Sequence, residues 1–342
     1  MNFSVKVYPQ IIWGEQYQGN FEKLADDIKQ AGISNIMAPA FQGSRIFSSQ
    51  PMDESANPWS LLPLKKICRE RELGFTIELP LFHDREAFEK LDPLRPLTPA
   101  GESYAETGWY RPICPSNENY AQRRLQFVDE ALAFFEPVVV TLNFLWYPYW
   151  PVGADWETLG TQAPAFCFCE ACRDRFSEAT GLINAAQDVE AWFAFRANML
   201  SGLLADIEEL SQNRKSPPSL ILEIPPVPTP YFAERLRRLT GMHLVAWRNL
   251  VQVISPQLFY GECSQPLNWA SEVIDELQSF GFSLFPQIDF PPTPTYKQEM
   301  RAELHAFLDS MELKGIGAVM LHSWDTLQAL PELVSLVGAF SE

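Results

Sequence analysis

The sequence predicts an α/β fold, a single (β/α)8 TIM barrel, on three observations. Short apolar runs recur and most stop at a proline, stretches with helical period lie between them, and the pair repeats eight times within 342 residues. Proline has no N–H for a ladder, so it ends a strand more readily than it sits inside one. Twenty-eight prolines, well above the usual ~5%, punctuate VKVYPQ, NIMAPA, FTIELP, VVVTLNFLWYP, LILEIPP, VQVISPQ and FSLFPQ. These runs read as nearly continuously apolar, which suits strands buried on both faces of a parallel sheet.

In chain order, a strand over 5–12 is followed by a helix over 20–31, a strand over 34–39 by a helix over 58–72, and a strand over 74–81 by a helix over 118–136. Leu125, Val128, Leu132 and Phe135 share one face of that helix. A strand over 138–145 and a helix over 185–211 come next, then a strand over 219–224 and a helix over 231–249. The last three pairs are 251–256 with 267–280, 283–288 with 296–313, and 316–321 with 330–340. Trp269, Val273 and Leu277 mark the apolar face of the helix over 267–280. We number these strands β1 to β8. A doubly wound sheet would want a glycine-rich turn after β1, and Trp13-Gly14-Glu15-Gln16 is not one. No low-complexity linker divides the chain, so residues 1–342 read as one barrel domain. Its longest loops, 82–117 and 146–184, follow β3 and β4 on the face where such barrels place their sites.

Composition narrows the function. A net charge of −17, from 26 basic and 43 acidic residues, repels phosphate backbones and anionic lipid. Nucleic acid and membrane surfaces are therefore not expected partners. The opening MNFSVKVYPQIIWGEQ has no basic stretch followed by an apolar one, and no run approaches the ~18 apolar residues of a membrane span. A soluble cytoplasmic protein is expected.

Three thiols crowd into Cys167-Phe168-Cys169-Glu170-Ala171-Cys172, just before a helical-looking segment, and can converge on one tetrahedral ion. Cys114, in the other long loop, supplies a fourth ligand. Four cysteines leave no open position for water, so the expected cofactor is structural zinc, pinning loops 82–117 and 146–184 together. The plainer alternative is three free or partly disulfide-bonded surface thiols. Cys68 reads as packing, and Cys263 as a bystander after β6.

A cysteine in the β3 loop followed, after β4, by C-x-C-x2-C-x3-F ending in Phe176 resembles the zinc-binding pattern of glycoside hydrolase family 42 β-galactosidases. The chain is similar also to bacterial glycoside-hydrolase-like barrels, which carry Cys-Pro-x-Asn before the third helix and His-Leu-Asp-Phe-x-Arg-Tyr-Pro along β4. The matching segments here are Cys114-Pro115-Ser116-Asn117 and Thr141-Leu142-Asn143-Phe144-Leu145-Trp146-Tyr147-Pro148. The resemblance implies a carbohydrate-acting barrel, but with two departures. Family 42 places Asn-Glu at the end of β4, the Glu being the acid/base, where this chain has Asn143-Phe144. The other barrels have an Asp where Asn143 stands and an Arg where Trp146 stands. An amide can neither donate a proton as an acid nor attack as a carboxylate.

Glycoside hydrolysis needs two carboxyl groups, about 5–5.5 or 6.5–9.5 Å apart. Acids at strand ends are Glu78 ending β3, Glu223 near the end of β5, Glu262 after β6 and Asp289 after β7. Glu262 and Asp289 come from adjacent strands and form the expected catalytic pair. Glu223 is next, although strand alternation can turn it into the barrel. Expected sugar contacts are Glu78, Asn143, Trp146, Tyr147, Trp150, Gln257, Tyr260, Gln287, His322 and Trp324. Aromatic plates stack on the apolar face of a sugar ring while amides and acids meet its edges; wedging of loops against the barrel is the plainer reading of each ring. His83 is a further candidate lining residue, while His243 and His305 fall on helices. Two functions are carried forward: a hydrolase with a rearranged carboxylate pair, and a catalytically silent barrel binding a saccharide or protein partner. A barrel aldolase or isomerase ranks below both, because no lysine ends a predicted strand.

Overall fold

The computed structural model describes residues 1–47, 59–104, 108–149, 156, 166–289 and 298–341. Eight parallel strands close on themselves: β1 (Asn2–Lys6), β2 (Asn35–Pro39), β3 (Gly74–Pro80), β4 (Val139–Asn143), β5 (Ser219–Ile224), β6 (Val253–Leu258), β7 (Gln287–Asp289) and β8 (Ala318–His322). The ring is sealed where β8 pairs β1, with Asn2 opposite Ala318, and where β6 pairs β7, with Gln257 opposite Gln287. Helices follow the strands around the outside, the longest being Glu118–Phe135 and Val189–Gln212. This is the (β/α)8 barrel the sequence predicts.

Two expectations change. β1 ends at Lys6 rather than running to residue 12, because Pro9 opens a short helix, Pro9–Ile12, in which proline costs nothing. Lys6 is therefore the last residue of β1, so a lysine does end a strand. The strands are also not apolar on both faces. Residues of one parity, including Val5, Ile36, Ile77, Leu142, Leu222, Ile254, Ile288 and Leu321, belong to the hydrophobic core under the helices. The other parity faces inward and is largely polar: Ser4, Lys6, Thr76, Glu78, Thr141, Asn143, Glu223, Ser255, Gln257, Gln287 and Asp289, all buried.

Past β2 the chain makes a small antiparallel hairpin, Phe41–Gln42 with Arg45–Ile46. Two-residue strands hold little by themselves, and anchors from elsewhere fasten this one. Arg124, on helix Glu118–Phe135, donates from Nη1 to the Gly43 carbonyl at 2.7 Å, and Ser44 Oγ donates to Glu86 Oε2 at 2.7 Å. Arg124 is itself fixed by an ion pair with buried Asp84 and a bond to the Tyr120 hydroxyl. Asp84 in turn caps helix Arg85–Lys90 by accepting the Ala87 N–H at 2.9 Å.

Candidate active site

A cavity of about 860 Å³ opens at the C-terminal ends of the strands, on the β8-β1-β2-β3 side. Its walls are rings: Tyr8 and Trp13 after β1, Phe41, Phe47 and Trp59 after β2, Trp109 in the β3 loop, and Phe144 after β4. Its polar groups are Glu78, His83, His322, Arg45, Arg85, Gln10 and Gln42. Gly14 at its edge must be glycine, since a Cβ there would lie 2.2 Å from the Gln10 carbonyl oxygen.

Below the cavity floor the inward-facing charges form one network. Lys6 Nζ lies 2.7 Å from Glu78 Oε1 and 3.6 Å from Glu223 Oε1. Asn143 Nδ2 donates to the same Glu78 oxygen, while its own Oδ1 accepts the Phe144 N–H at 2.7 Å. Gln257 Nε2 donates to Glu223 Oε2 at 3.0 Å, and Gln287 Nε2 to Ser255 Oγ at 3.2 Å. Burial alone would push Lys6 down, but Glu223 and Glu78 outweigh it and raise it. One ammonium cannot neutralise two carboxylates, and Glu78 has the shorter bond. Burial accordingly lifts Glu223 to about 7 against the pull of Lys6. A nucleophilic lysine must lose its proton, so this Lys6 is poorly suited to Schiff-base chemistry. Lys6→Met strands Glu78 without its cation and should destabilise the protein by about 3–5 kcal/mol in urea unfolding. Lys6→Met/Glu78→Gln should regain most of that loss, and an unchanged midpoint for Lys6→Met contradicts the network.

The acids expected to act, Glu262 and Asp289, do meet. Asp289 Oδ2 accepts the Glu262 backbone N–H at 3.3 Å, and its Oδ1 has no hydrogen-bond partner among the described residues. Burial, with Glu262 close by, raises Asp289 to about 7, and burial also raises Glu262. Glu262 is half-buried, and its Oε1 accepts from Trp109 Nε1 at 3.4 Å, so this indole touches Glu262 and also lines the cavity. Glu78 lies on the cavity floor and Asn143 beside it, as a brace. Glu223, Gln257 and Gln287 turn into the barrel stem and do not line the cavity.

Both site histidines are neutral. Burial, then Arg111, lowers His83 to about 3; burial, then Lys6, lowers His322 to about 3. His83 clusters with the rings of Tyr110 and Phe144, with centroids at 5.9 and 4.8 Å. Its Nδ1 accepts the Arg111 N–H at 3.1 Å, which places the ring proton on Nε2. His322 Nε2 and the Tyr8 hydroxyl are 2.5 Å apart.

The expected stacking rings are the main correction. Trp146 is buried with Nε1 donating to the Tyr110 hydroxyl at 3.1 Å, and Tyr147 is buried under the Arg196 guanidinium, 4.6 Å from its ring centre. Trp324 is buried with Nε1 donating to Tyr17 at 3.0 Å. Tyr149 donates to the Pro226 carbonyl at 2.7 Å, and Trp156 packs on Trp269. These rings wedge loops against the barrel, as their indole and hydroxyl groups allow once bonded. Tyr260 is half-buried beside Glu262, and Trp150 lies outside the described residues. Trp13, Trp59 and Trp109, which do wall the cavity, were not expected. Trp13 and Trp109 carry one sequence signal, their place in strand-to-helix loops on the site face, whereas Trp59 falls inside the helix predicted over 58–72, which begins only at Leu62.

The thiols converge as expected. The sulfur atoms of Cys114, Cys167, Cys169 and Cys172 all lie within 4.8 Å of one another and are buried. Cys114 Sγ is 3.3 Å from Cys172 Sγ and 3.5 Å from Cys169 Sγ. A tetrahedral ion with metal–sulfur bonds of ~2.3 Å sets sulfurs about 3.8 Å apart, so the cluster has the size of a metal site and could hold one ion. Burial pushes the Cys114 and Cys172 thiols up, so a cation at the centre is what would hold them as thiolates. Ser116 Oγ, 3.3 Å from Cys172 Sγ and 2.7 Å from the Tyr147 hydroxyl, adds an outer layer of support.

The closed parallel barrel, here with a ring-lined mouth and a cysteine cluster between its β3 and β4 loops, is a fold shared with several solved glycoside hydrolases. The solved structures it is similar to include the PgaB (BpsB) glycoside hydrolase domain from Bordetella bronchiseptica, at a TM-score of 0.70 and 10% identity over 98% of both chains. They include also the β-galactosidase from the psychrophilic Marinomonas ef1, with TM-score 0.65 and 10% identity over 95% of this chain and 54% of that one. A GH42 β-galactosidase from G. stearothermophilus matches at 0.62 and 11% identity over 99% and 57%. The chain thus spans about half the length of those β-galactosidases. At such identities the likeness is one of fold. No family model matches the sequence, and no curated protein sequence does. No helix among the described residues is long and apolar enough to cross a membrane.

Proposed function

We propose that the chain is a carbohydrate-acting glycoside hydrolase whose acid chemistry has moved from β4 to Glu262 and Asp289. The observation that carries this reading is Asp289, a carboxyl at the end of β7 whose burial raises it to about 7, with one oxygen unpartnered among the described residues and Glu262 beside it. A carboxyl near 7 can be protonated when it meets a leaving-group oxygen, and a neighbouring carboxylate can serve as nucleophile or base. The cavity rings offer stacking faces, and Glu78 and His83 offer an acceptor and a donor for hydroxyl groups. The same reading assigns zinc to Cys114, Cys167, Cys169 and Cys172, as a structural ion: four thiolates fill its coordination and leave none for substrate.

The second reading, a silent saccharide-binding barrel, is favoured by β4 itself, where Asn143 braces Glu78 and Phe144 occupies the next position at φ 56°. A panel of aryl glycosides separates the two. Turnover of any member by purified protein, abolished in the Glu262→Gln/Asp289→Asn double variant, supports the hydrolase. Sugar binding without turnover supports the silent barrel, and neither across the panel rejects both.

A further inference from the structure

We propose that the cavity takes a saccharide residue bearing a carboxylate, a hexuronic acid in the simplest case; this rests on the carbohydrate reading and deepens it. The protein carries a net charge of −17, yet its cavity does not share that sign. Among the described residues, the charged side chains lining it are Arg45, Arg85 and Glu78, and Glu78 is already matched by Lys6 at 2.7 Å. Two arginines therefore face the space with no uncompensated acid on the wall.

Both guanidiniums are available. Arg45 has no carboxylate partner among the described residues and lies 4.8 Å from the centre of the Trp59 ring, contact that suits a planar cation. Among the described residues Arg85 meets only Glu89, at 3.4 Å on an exposed helix turn, a pairing weak enough to exchange for a ligand carboxylate. Their loops are fastened together, since Ser44, beside Arg45, donates to Glu86, beside Arg85, at 2.7 Å. His83 adds a neutral donor: its Nδ1 is taken by the Arg111 N–H, and its Nε2–H has no partner among the described residues. Acids more than ~8 Å away are largely screened at physiological salt, and of the nearer ones Glu86 is matched by Lys90 at 2.9 Å and Glu89 by Arg85 itself. A long polyanion would still meet the outer acids; a single sugar acid in the cavity would not.

Quenching of tryptophan fluorescence reads the test, because Trp13, Trp59 and Trp109 line the cavity. Methyl β-D-glucuronide and galacturonide should bind at least ~10-fold more tightly than the corresponding glucoside and galactoside at low salt, as charge-assisted pairing requires. The margin should shrink with added salt and vanish in Arg45→Gln/Arg85→Gln, with neutral-sugar binding retained. Equal or tighter binding of the neutral glycosides overturns the proposal and leaves the carbohydrate reading standing, as does a preference unchanged in the double variant. Failure of all four to bind overturns it too; aryl glycoside turnover then decides the wider reading separately.

Discussion

Glu262→Gln and Asp289→Asn should each lower turnover of an aryl glycoside by at least ~100-fold, the scale of losing one positioned acid–base group. An amide keeps the shape and the hydrogen bonds of the carboxyl but neither gives up a proton nor attacks. The pH profile makes the assignment specific. Burial raises Asp289 to about 7, so a protonated Asp289 is available below that pH and lost above it. As the proton donor it gives turnover a falling alkaline limb near 7, and the limb disappears from the residual activity of Asp289→Asn. Glu262 acting as nucleophile or base must instead be ionised, so it governs the acid limb. Because the groups sit side by side, the two apparent values belong to the pair. Trp59→Ala should do the converse, weakening binding by about 1 kcal/mol through lost ring contact while leaving the pH profile in place. An alkaline limb that survives Asp289→Asn removes Asp289 from the proton-donor role.

Purified protein should carry about one zinc per chain, the stoichiometry of a four-cysteine site. Elemental analysis reads this directly, and Cys169→Ser or Cys172→Ser should abolish it. Structural zinc contributes on the order of 10 kcal/mol to the folding of small sites, but here it joins loops and not the barrel. The variants should therefore keep their secondary structure by circular dichroism while proteolysis within 82–117 and 146–184 accelerates severalfold. Protein purified without metal, with all four thiols freely alkylated, contradicts the assignment.

What the sequence made legible was the repeat and the motif. Prolines ending apolar runs gave the strand count, and four cysteines in two loops gave a cluster that depends only on those loops meeting. Legibility failed where one residue of slippage matters. VYPQII reads as strand by composition, but Pro9 opens a helical turn, and the error hid Lys6 at the end of β1. TIELP and LILEI read as apolar, yet their single glutamates face inward with Lys6 between them. The rings were misjudged because stacking plate and loop wedge have the same composition. Only the partner of the indole N–H separates Trp146, which donates to Tyr110 in the interior, from Trp109, which is 44% exposed at the cavity.

The hairpin Phe41–Ile46 carries Arg45 to the cavity rim, with Phe47 just beyond it, and part of its anchorage is a guanidinium 81 positions further along the chain. Ligand preference is thus heritable through a helix that touches no ligand. In a random-mutation library selected for altered sugar choice, hits should include Arg124, Asp84 and Tyr120, none of which lines the cavity. Swapping the hairpin alone into a related barrel would transplant its sequence without its orientation.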